Sequence, residues 1–340
     1  MFELTWFGYE HLKSRNKDLI RGGKRMNTSD VGWIGMGRMG SPMAERLAKA
    51  GINLKIWNRT RSKAEPLEKI GASIVESPAD LSGVDVLATM VSTGSDVEAV
   101  YFGENGVLSG SGVPKIFVDF SSIGVDQSAN IRARLAELGA DLVCAPVSGN
   151  GKCVKAGKLS AVASGPKKAF DQVKDIISTI AGRGVSYVGE GELARFCKIA
   201  HNVMLGAVTQ NLAEITVLAQ KAGVPRRAFL DFMNNSVMGS IFTRYKTNAF
   251  VNLDWTTTFT PTLLRKDLDL GLAAGRELEV PMPVTAATRE ALQTHFGAAS
   301  LKDDPEGYLQ GDFAALLETV ALAAGEKLES ENDPYPTGLE

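Results

Sequence analysis

The sequence predicts an α/β protein: an N-terminal parallel, doubly wound sheet followed by an all-α C-terminal domain, the two joined by one long interdomain helix. Three observations predict it. From Asp30 to about residue 191, short apolar runs alternate with helical spacing, as in a sheet whose strands are linked by helices. Beyond Gly223 that alternation stops and helical spacing alone continues. Between them, residues 192–223 contain no Pro and one interior Gly, and close on Lys221-Ala222-Gly223, a C-terminal helix signal.

The 340-residue length fits two domains at roughly 150 residues each. Hydrophobic content of 44% and charged content of 22% are those of an ordinary globular protein. A net charge of −2 offers no basic surface for nucleic acid. No run approaches 18 apolar residues, so no membrane-spanning helix is expected. Cys144, Cys153 and Cys197 are an odd number without CxxC spacing, which argues against a disulfide framework and against zinc. With only three scattered histidines, no metal site is expected, and a reducing, cytoplasmic setting fits.

Residues 1–25 carry Lys13, Arg15, Lys17, Arg21, Lys24 and Arg25 but no apolar core of a secretory signal. Residues 1–27 are expected to be a non-native or disordered leader, with Met26 as the natural start; a short docking helix is the competing reading.

Val31-Gly32-Trp33-Ile34 reads as a strand that enters Gly35-Met36-Gly37-Arg38-Met39-Gly40, after which residues 43–50 follow helical spacing. In this setting GxGxxG has a mechanism. One glycine permits a tight turn, the second lets a pyrophosphate approach the backbone, and the third lets helix and strand pack closely. The helix N-terminus would face the phosphates with free N–H groups and the positive end of its dipole. A Rossmann dinucleotide-binding domain over 28–191 follows. The second strand, 53–57, ends at Asn58-Arg59-Thr60-Arg61. An NAD-binding domain usually places an acidic residue here for the ribose 2′-hydroxyl. A neutral residue followed by arginines suits a 2′-phosphate instead, which favours NADP(H) over NAD(H). Alternatively, Arg59 and Arg61 only decorate a solvent-facing turn.

Further strands are read at 72–75, 86–91, 115–119, 142–144 and 159–162, with a helix at 127–139 whose Ile131, Leu135 and Leu138 mark one face. Ligands of such sheets lie at the carboxyl ends of strands. Val91, Ser92, Ser121 and Ser122 stand there and would flank a nicotinamide, unless they are plain loop residues. The loop 145–152 then combines Pro146 with Ser148, Gly149 and Gly151. A hydroxyl and exposed backbone N–H groups make a natural cradle for a carboxylate.

Residues 192–223 would form a helix of about 48 Å. Leucines, isoleucines, valines and Met204 fall on every side of it, the pattern of a buried helix. Between Phe196 and Gln220 the only charges are Lys198 and Glu214. Lys198 and Asn202 share a face at i and i+4, and His201 lies close to it. Burial lowers the pKa of an ammonium and makes lysine a usable general base near neutral pH; snorkelling to solvent is the other possibility. Beyond the long helix, 226–233 and 242–245 read as helices around the break at 236–240. Ser240 and Arg244 are placed either to reach a substrate acid group or to start a helix. Residues 262–278 carry Lys266 on another helix, and 313–324 end the helical domain, taken as 192–328. The tail, 329–340, contains Pro334 and Pro336 and is expected to be loose. So much apolar helix surface calls for cover, and a homodimer or homotetramer is expected.

Five of these segments, in this order, resemble the β-hydroxyacid dehydrogenase family, which includes 3-hydroxyisobutyrate dehydrogenase, tartronate semialdehyde reductase and short relatives of 6-phosphogluconate dehydrogenase. They are the glycine turn at Gly35, Asn58-Arg59-Thr60, Pro146-Val147-Ser148-Gly149, Lys198-x-x-x-Asn202 and Lys266-Asp267-Leu268. The resemblance implies a small carboxylate-bearing substrate held by Ser148 and Gly149; Asn150, next in that loop, and Ser240 are further candidates for contact with it. It also implies that Lys198 is the acid/base, that Asn202 orients the substrate and that Lys266 lies by the nicotinamide. Three positions depart from the family pattern: Cys144 where an Asp is frequent, Asn150 where a second Gly is usual, and Glu192-Leu193-Ala194-Arg195 in place of a glycine-rich approach to the lysine. An imine reductase of the same fold usually lacks that lysine. A non-catalytic NADPH-binding module would need only the glycine turn.

Overall fold

The computed structural model describes residues 30–339; the expectations for residues 1–27 lie outside them. Six parallel strands form the main sheet: β1 (Val31–Ile34), β2 (Leu54–Trp57), β3 (Ser73–Ile74), β4 (Val86–Thr89), β5 (Ile116–Asp119) and β6 (Asp141–Cys144). Their order is β3-β2-β1-β4-β5-β6. The chain winds outward from β1 in one direction and then, from β4, in the other, so a crevice opens where β1 and β4 lie side by side. Every residue of β1, β4 and β5 is buried, as a sheet covered on both faces requires. On one face the core is built around Trp33, Met43, Leu47 and Ile177, under α1 (Gly40–Lys49) and α5 (Lys167–Ile180). On the other it is built around Ile34, Leu87, Phe117 and Leu135, under α2 (Gly94–Phe102) and α3 (Val125–Glu137).

The strand read at 159–162 belongs elsewhere. As β8 (Ser160–Ala163) it joins a separate three-stranded sheet, antiparallel to β7 (Val147–Ser148) and parallel to β9 (Gly184–Tyr187). Between β7 and β8, a five-residue helix α4 (Gly151–Lys155) folds the segment after Ser148 back. This small sheet anchors the loop around Ser148 against the first domain.

The long helix is α6 (Leu193–Lys221), 29 residues. Six helices follow: α7 (Arg226–Asn235), α8 (Ile241–Asn252), α9 (Pro261–Glu277), α10 (Pro283–Ala299), α11 (Pro305–Gln310) and α12 (Leu316–Ala323). The buried stripe of α6 is made of small and polar residues, among them Ala194, Asn202, Gly206, Thr209 and Ala213. The expectation of burial on all sides fails at Met204 and Leu218, which are 67% and 69% exposed in the single chain. Small residues bring α6 and α9 close. A Cβ added at Gly271 would lie 2.2 Å from Val203 Cγ2, and one at Gly206 would lie 3.0 Å from Leu264 Cδ1. That contact sets Lys198 and Asn202 of α6 beside Lys266 and Asp267 of α9.

The tail expected to be loose is instead held. Both oxygens of the Glu331 carboxylate accept from the first backbone N–H groups of α7, at Arg226 (2.8 Å) and Arg227 (2.9 Å), which places an anion at a helix N-terminus. Tyr335 is buried, exchanges hydrogen bonds with the Asn248 amide and lies under the Arg227 guanidinium. Lys158 of the first domain donates to the Gly338 carbonyl. Proline removes helix and strand options from the tail, but side chains elsewhere supply the partners its backbone needs.

Candidate active site

A cleft of about 1490 Å³ runs between the two domains, from the glycine turn to Lys198. At the end of the cleft formed by the glycine turn, the three glycines differ in what they permit. Gly35 has φ +102°, and a Cβ there would meet the Met90 carbonyl oxygen at 2.1 Å. Gly40 faces the Gly35 carbonyl oxygen just as tightly, at 2.1 Å. A Cβ added at Gly37 would have nothing within 4 Å, so the open side of this residue faces the cleft. A backbone left bare on the ligand side and packed on the other two fits a pyrophosphate at the N-terminus of α1, whose first turn contains no acidic residue. Met36, Arg38 and Met39 line the same wall.

Asn58, at the end of β2, is occupied at both ends of its amide. Its Oδ1 accepts from the Met36 N–H (2.8 Å), and its Nδ2 donates to the Thr60 carbonyl (2.7 Å). It therefore ties the glycine turn to the loop that carries Arg59. Arg59 and Thr60 line the cleft, and Arg59 has no ion pair among the described residues. Arg61 does not line it: its guanidinium lies 2.5 Å from Glu76 Oε1 and 3.9 Å from Glu65 Oε1. Of the two arginines in the sequence motif, the structure leaves one open to a ligand.

Val91 and Ser92 line the cleft beyond β4. Ser121, expected beside them, does not. It is fully buried, and its Oγ accepts from the Val91 N–H (2.9 Å). The residue that faces the cleft is Ser122. The chain alternates sides as it leaves β5, and two adjacent serines give no sign of which one points out.

Around Lys198 the polar groups form one chain of contacts. Asn202 Nδ2 donates to Asp267 Oδ2 (2.6 Å), which turns its Oδ1 toward His201 Nδ1 (2.9 Å). A carbonyl oxygen only accepts, so His201 carries its proton on Nδ1 and its Nε2 is left as an acceptor. Ser148 Oγ lies 2.8 Å from that Nε2 and therefore donates to it. Burial, followed by the neighbouring Lys198 charge, holds the His201 pKa below its usual value and keeps the ring neutral. Lys266 sits at the other end of the chain. Its ammonium lies 3.4 Å from Asp267 Oδ1 and donates to the Ser122 carbonyl (3.3 Å).

Lys198 lines the cleft, and loss of solvent pulls its pKa from 10.5 to about 8. Asp267 opposes that fall and Lys266 adds to it. A lysine that exchanges protons near neutral pH, with a carboxylate-anchored amide one turn away, can serve as a general acid and a general base.

The remaining expected residues divide. Ser148 and Gly149 line the cleft, Gly149 at φ +127° with Cys153 and Leu159 behind it. Asn150 also lines it, but its side chain caps α4: Oδ1 accepts from the Cys153 N–H (3.1 Å), and Nδ2 is enclosed without a partner among the described residues. Ser240 lines the cleft while capping α8, its Oγ accepting from the Thr243 N–H (3.1 Å). Arg244 points away and donates to the Asn234 carbonyl (2.7 Å). Sequence reasoning assigns no role to His201 or Asp267, although both sit in the motifs, at i+3 from Lys198 and directly after Lys266. Among the described residues no group of three or more His, Cys, Asp and Glu side chains is arranged to hold a metal, and no helix is long and apolar enough to cross a membrane.

The family model for the NAD binding domain of 6-phosphogluconate dehydrogenase matches residues 30–189. The model described as the NAD-binding region of NADP-dependent 3-hydroxyisobutyrate dehydrogenase matches residues 192–309. The chain is 31% identical over 295 residues to glyoxylate/succinic semialdehyde reductase 1 of Arabidopsis thaliana, covering 86% of this chain and 99% of that protein. It is 31% identical over 265 residues to 2-(hydroxymethyl)glutarate dehydrogenase of Eubacterium barkeri, covering 77% of this chain and 88% of that one. In fold it is similar to the crystal structure of 3-hydroxyisobutyrate dehydrogenase from Salmonella typhimurium, with a TM-score of 0.74 at 24% identity over 85% of this chain and 99% of the other.

Proposed function

Because the chain belongs to the β-hydroxyacid dehydrogenase family, we propose that it transfers a hydride between NADP(H) and a small β-hydroxyacid or the corresponding aldehyde or keto acid. NAD(P)-dependent hydroxyacid dehydrogenase or semialdehyde reductase chemistry, taken broadly, is supported by its relatives. The observation that carries the sharper reading is Lys198, a cleft-lining lysine with its pKa drawn down to about 8.

A bound nicotinamide would supply the hydride in reduction and take it in oxidation. Lys198 as ammonium gives a proton to the carbonyl oxygen in reduction; as amine it takes the hydroxyl proton in oxidation. Asn202, fixed by Asp267, orients the oxygen that changes charge. The Ser148 hydroxyl is committed to His201. The grip on the substrate carboxylate is therefore assigned mainly to the backbone N–H groups at Gly149 and Asn150, with the Ser148 oxygen free to accept. Ser240 closes the far wall, and Lys266 stands by the nicotinamide. Arg59 supports NADP(H) over NAD(H), since it is the arginine of the pair left open to a 2′-phosphate. A second copy of the chain, in a homodimer or homotetramer, would cover the exposed Met204 and Leu218 of α6. The three free cysteines fit a reducing cytoplasm.

The direct test is oxidation of NADPH with glyoxylate, succinic semialdehyde, methylmalonate semialdehyde and tartronate semialdehyde. Turnover with at least one of them, faster with NADPH than with NADH, is expected. Cofactor binding with no turnover on any small aldehyde acid would favour a binding module, and turnover only on cyclic imines would favour an imine reductase.

A further inference from the structure

Two of the three departures from the family pattern, Cys144 and the Glu192–Arg195 approach to Lys198, meet in one cluster. Arg195, 1% exposed, places Nη2 2.5 Å from Asp119 Oδ2 at the end of β5. Its Nη1 donates to the Ser121 carbonyl and its Nε to Ser128 Oγ (3.2 Å). Beside it, Arg132 pairs with Glu192 (2.7 Å) and donates to the Gly191 carbonyl (2.7 Å), at the start of α6. Cys144 Sγ lies 3.3 Å from Ser128 Oγ, which also accepts from Arg195, and 3.4 Å from Arg132 Nη2. Burial pushes the Cys144 thiol up, so it stays neutral. Two guanidiniums then face two carboxylates, Asp119 and Glu192. An aspartate at position 144 would add an unbalanced buried charge.

This cluster touches the active site from three sides. Asp119 Oδ1 accepts from the Ser121 N–H (3.1 Å), and Ser121 Oγ holds Val91, so the cluster fixes two cleft-lining loops. Arg195 is one helical turn before Lys198 on the same side of α6. Arg195 and Lys198 also share the wall of a small cavity of about 10 Å³, together with Ser122, Asn202 and Asp267. We propose that Arg195 is a positioning residue for the reaction: by bridging Asp119 and the Ser121 carbonyl it locks the first turn of the interdomain helix, and with it Lys198, onto the carboxyl end of β5. The proposal rests on Lys198 being the acid/base.

The groups that face Lys198 are His201 on its own helix and Lys266 and Asp267 on α9. None of them changes when Arg195 is replaced, and removing Arg195 together with its partner Asp119 leaves the net charge unchanged, so a shift in the Lys198 titration of the double variant reports its position and solvation. The variants are Arg195→Lys, Arg195→Met and Arg195→Met with Asp119→Asn; the last leaves no unpaired buried charge if the single Met variant does not fold. Each is checked by circular dichroism and NADPH fluorescence titration, then assayed from pH 6 to 10 with the best aldehyde acid. We expect the neutralised double variant to fold and to bind NADPH within about threefold. We expect its kcat to fall ten- to a hundredfold with KM little changed, and the limb of its pH profile near 8 to move upward. Arg195→Lys is expected to recover part of the loss. A folded Met variant, single or double, with wild-type kcat and profile would overturn the proposal. Lys198→Met, run in parallel, keeps the two ideas apart: if it turns over normally, the acid/base reading fails first.

Discussion

Lys198 illustrates what a single residue inherits from its surroundings. Among the described residues its ammonium has neither a hydrogen bond nor an ion pair. Its charge is set by lost solvent and the Lys266 field on one side and the Asp267 field on the other. The pair Lys198 and Asn202 was legible from spacing alone, because i and i+4 fall on one helix face whatever the tertiary structure. The role of His201 was not, since its tautomer is set through Asn202 by Asp267, 65 residues further along the chain. The same limit applies to arginines. Sequence treats Arg59 and Arg61 alike, whereas a pairing with Glu76 removes Arg61 from the cleft. Arg59→Ala is expected to raise the KM for NADPH about tenfold or more, the loss of charge-assisted hydrogen bonds worth roughly 1.5–3 kcal/mol, and to change NADH little. Arg61→Ala should leave both near wild type. Equal losses with the two cofactors in the Arg59 variant would refute the 2′-phosphate assignment.

At the scale of elements, the parallel sheet and the long helix were readable because hydrophobic period and glycine placement are local. Pairing partners are not. The strand at Ser160–Ala163 looks like its neighbours in sequence, yet it pairs with β7 and β9 in a second sheet. The glycine turn separates two kinds of requirement that the motif lumps together. Gly40→Ala would drive a methyl group into the Gly35 carbonyl, and a lowered melting temperature is expected. Gly37→Ala meets no protein atom, so stability should hold while NADPH affinity, read by fluorescence titration, falls. Unchanged affinity in Gly37→Ala would mean that the phosphates bind elsewhere. The tail escapes a local reading for a related reason. Its prolines forbid regular structure, but its order comes from Asn248, Asn252 and the first turn of α7, all distant in sequence.

Across the whole molecule, the cleft lies between two domains and each of its sides is braced by a buried ion pair. On the first domain's side this is done by the Arg195 cluster. On the helical side a second buried pair, Lys246 and Asp312, braces the cleft wall. Asp312 accepts from the Thr258 N–H (2.8 Å), the Thr258 hydroxyl (2.7 Å) and the Phe259 N–H (3.3 Å), and Thr258 and Phe259 line the cleft. Asp312→Ala leaves a lysine ammonium buried without its partner and is expected to cost about 3–5 kcal/mol in urea denaturation. A loss under about 1 kcal/mol, the scale of an exposed ion pair, would show that the wall is braced by packing alone.

The central claim is that the Lys198 amine moves the proton that accompanies the hydride. Reduction needs the ammonium and oxidation the free amine. The rate of NADPH oxidation with an aldehyde acid should therefore fall as pH rises through about 8, while oxidation of the hydroxy acid should rise over the same interval. The decisive measurement is these two pH profiles for the wild type beside Lys198→Met. If the amine moves that proton, the limbs run in opposite directions near pH 8 and the variant loses about 10²–10⁴ in kcat while retaining NADPH binding. Turnover by Lys198→Met within a few fold of wild type, with the limbs unmoved, would contradict it.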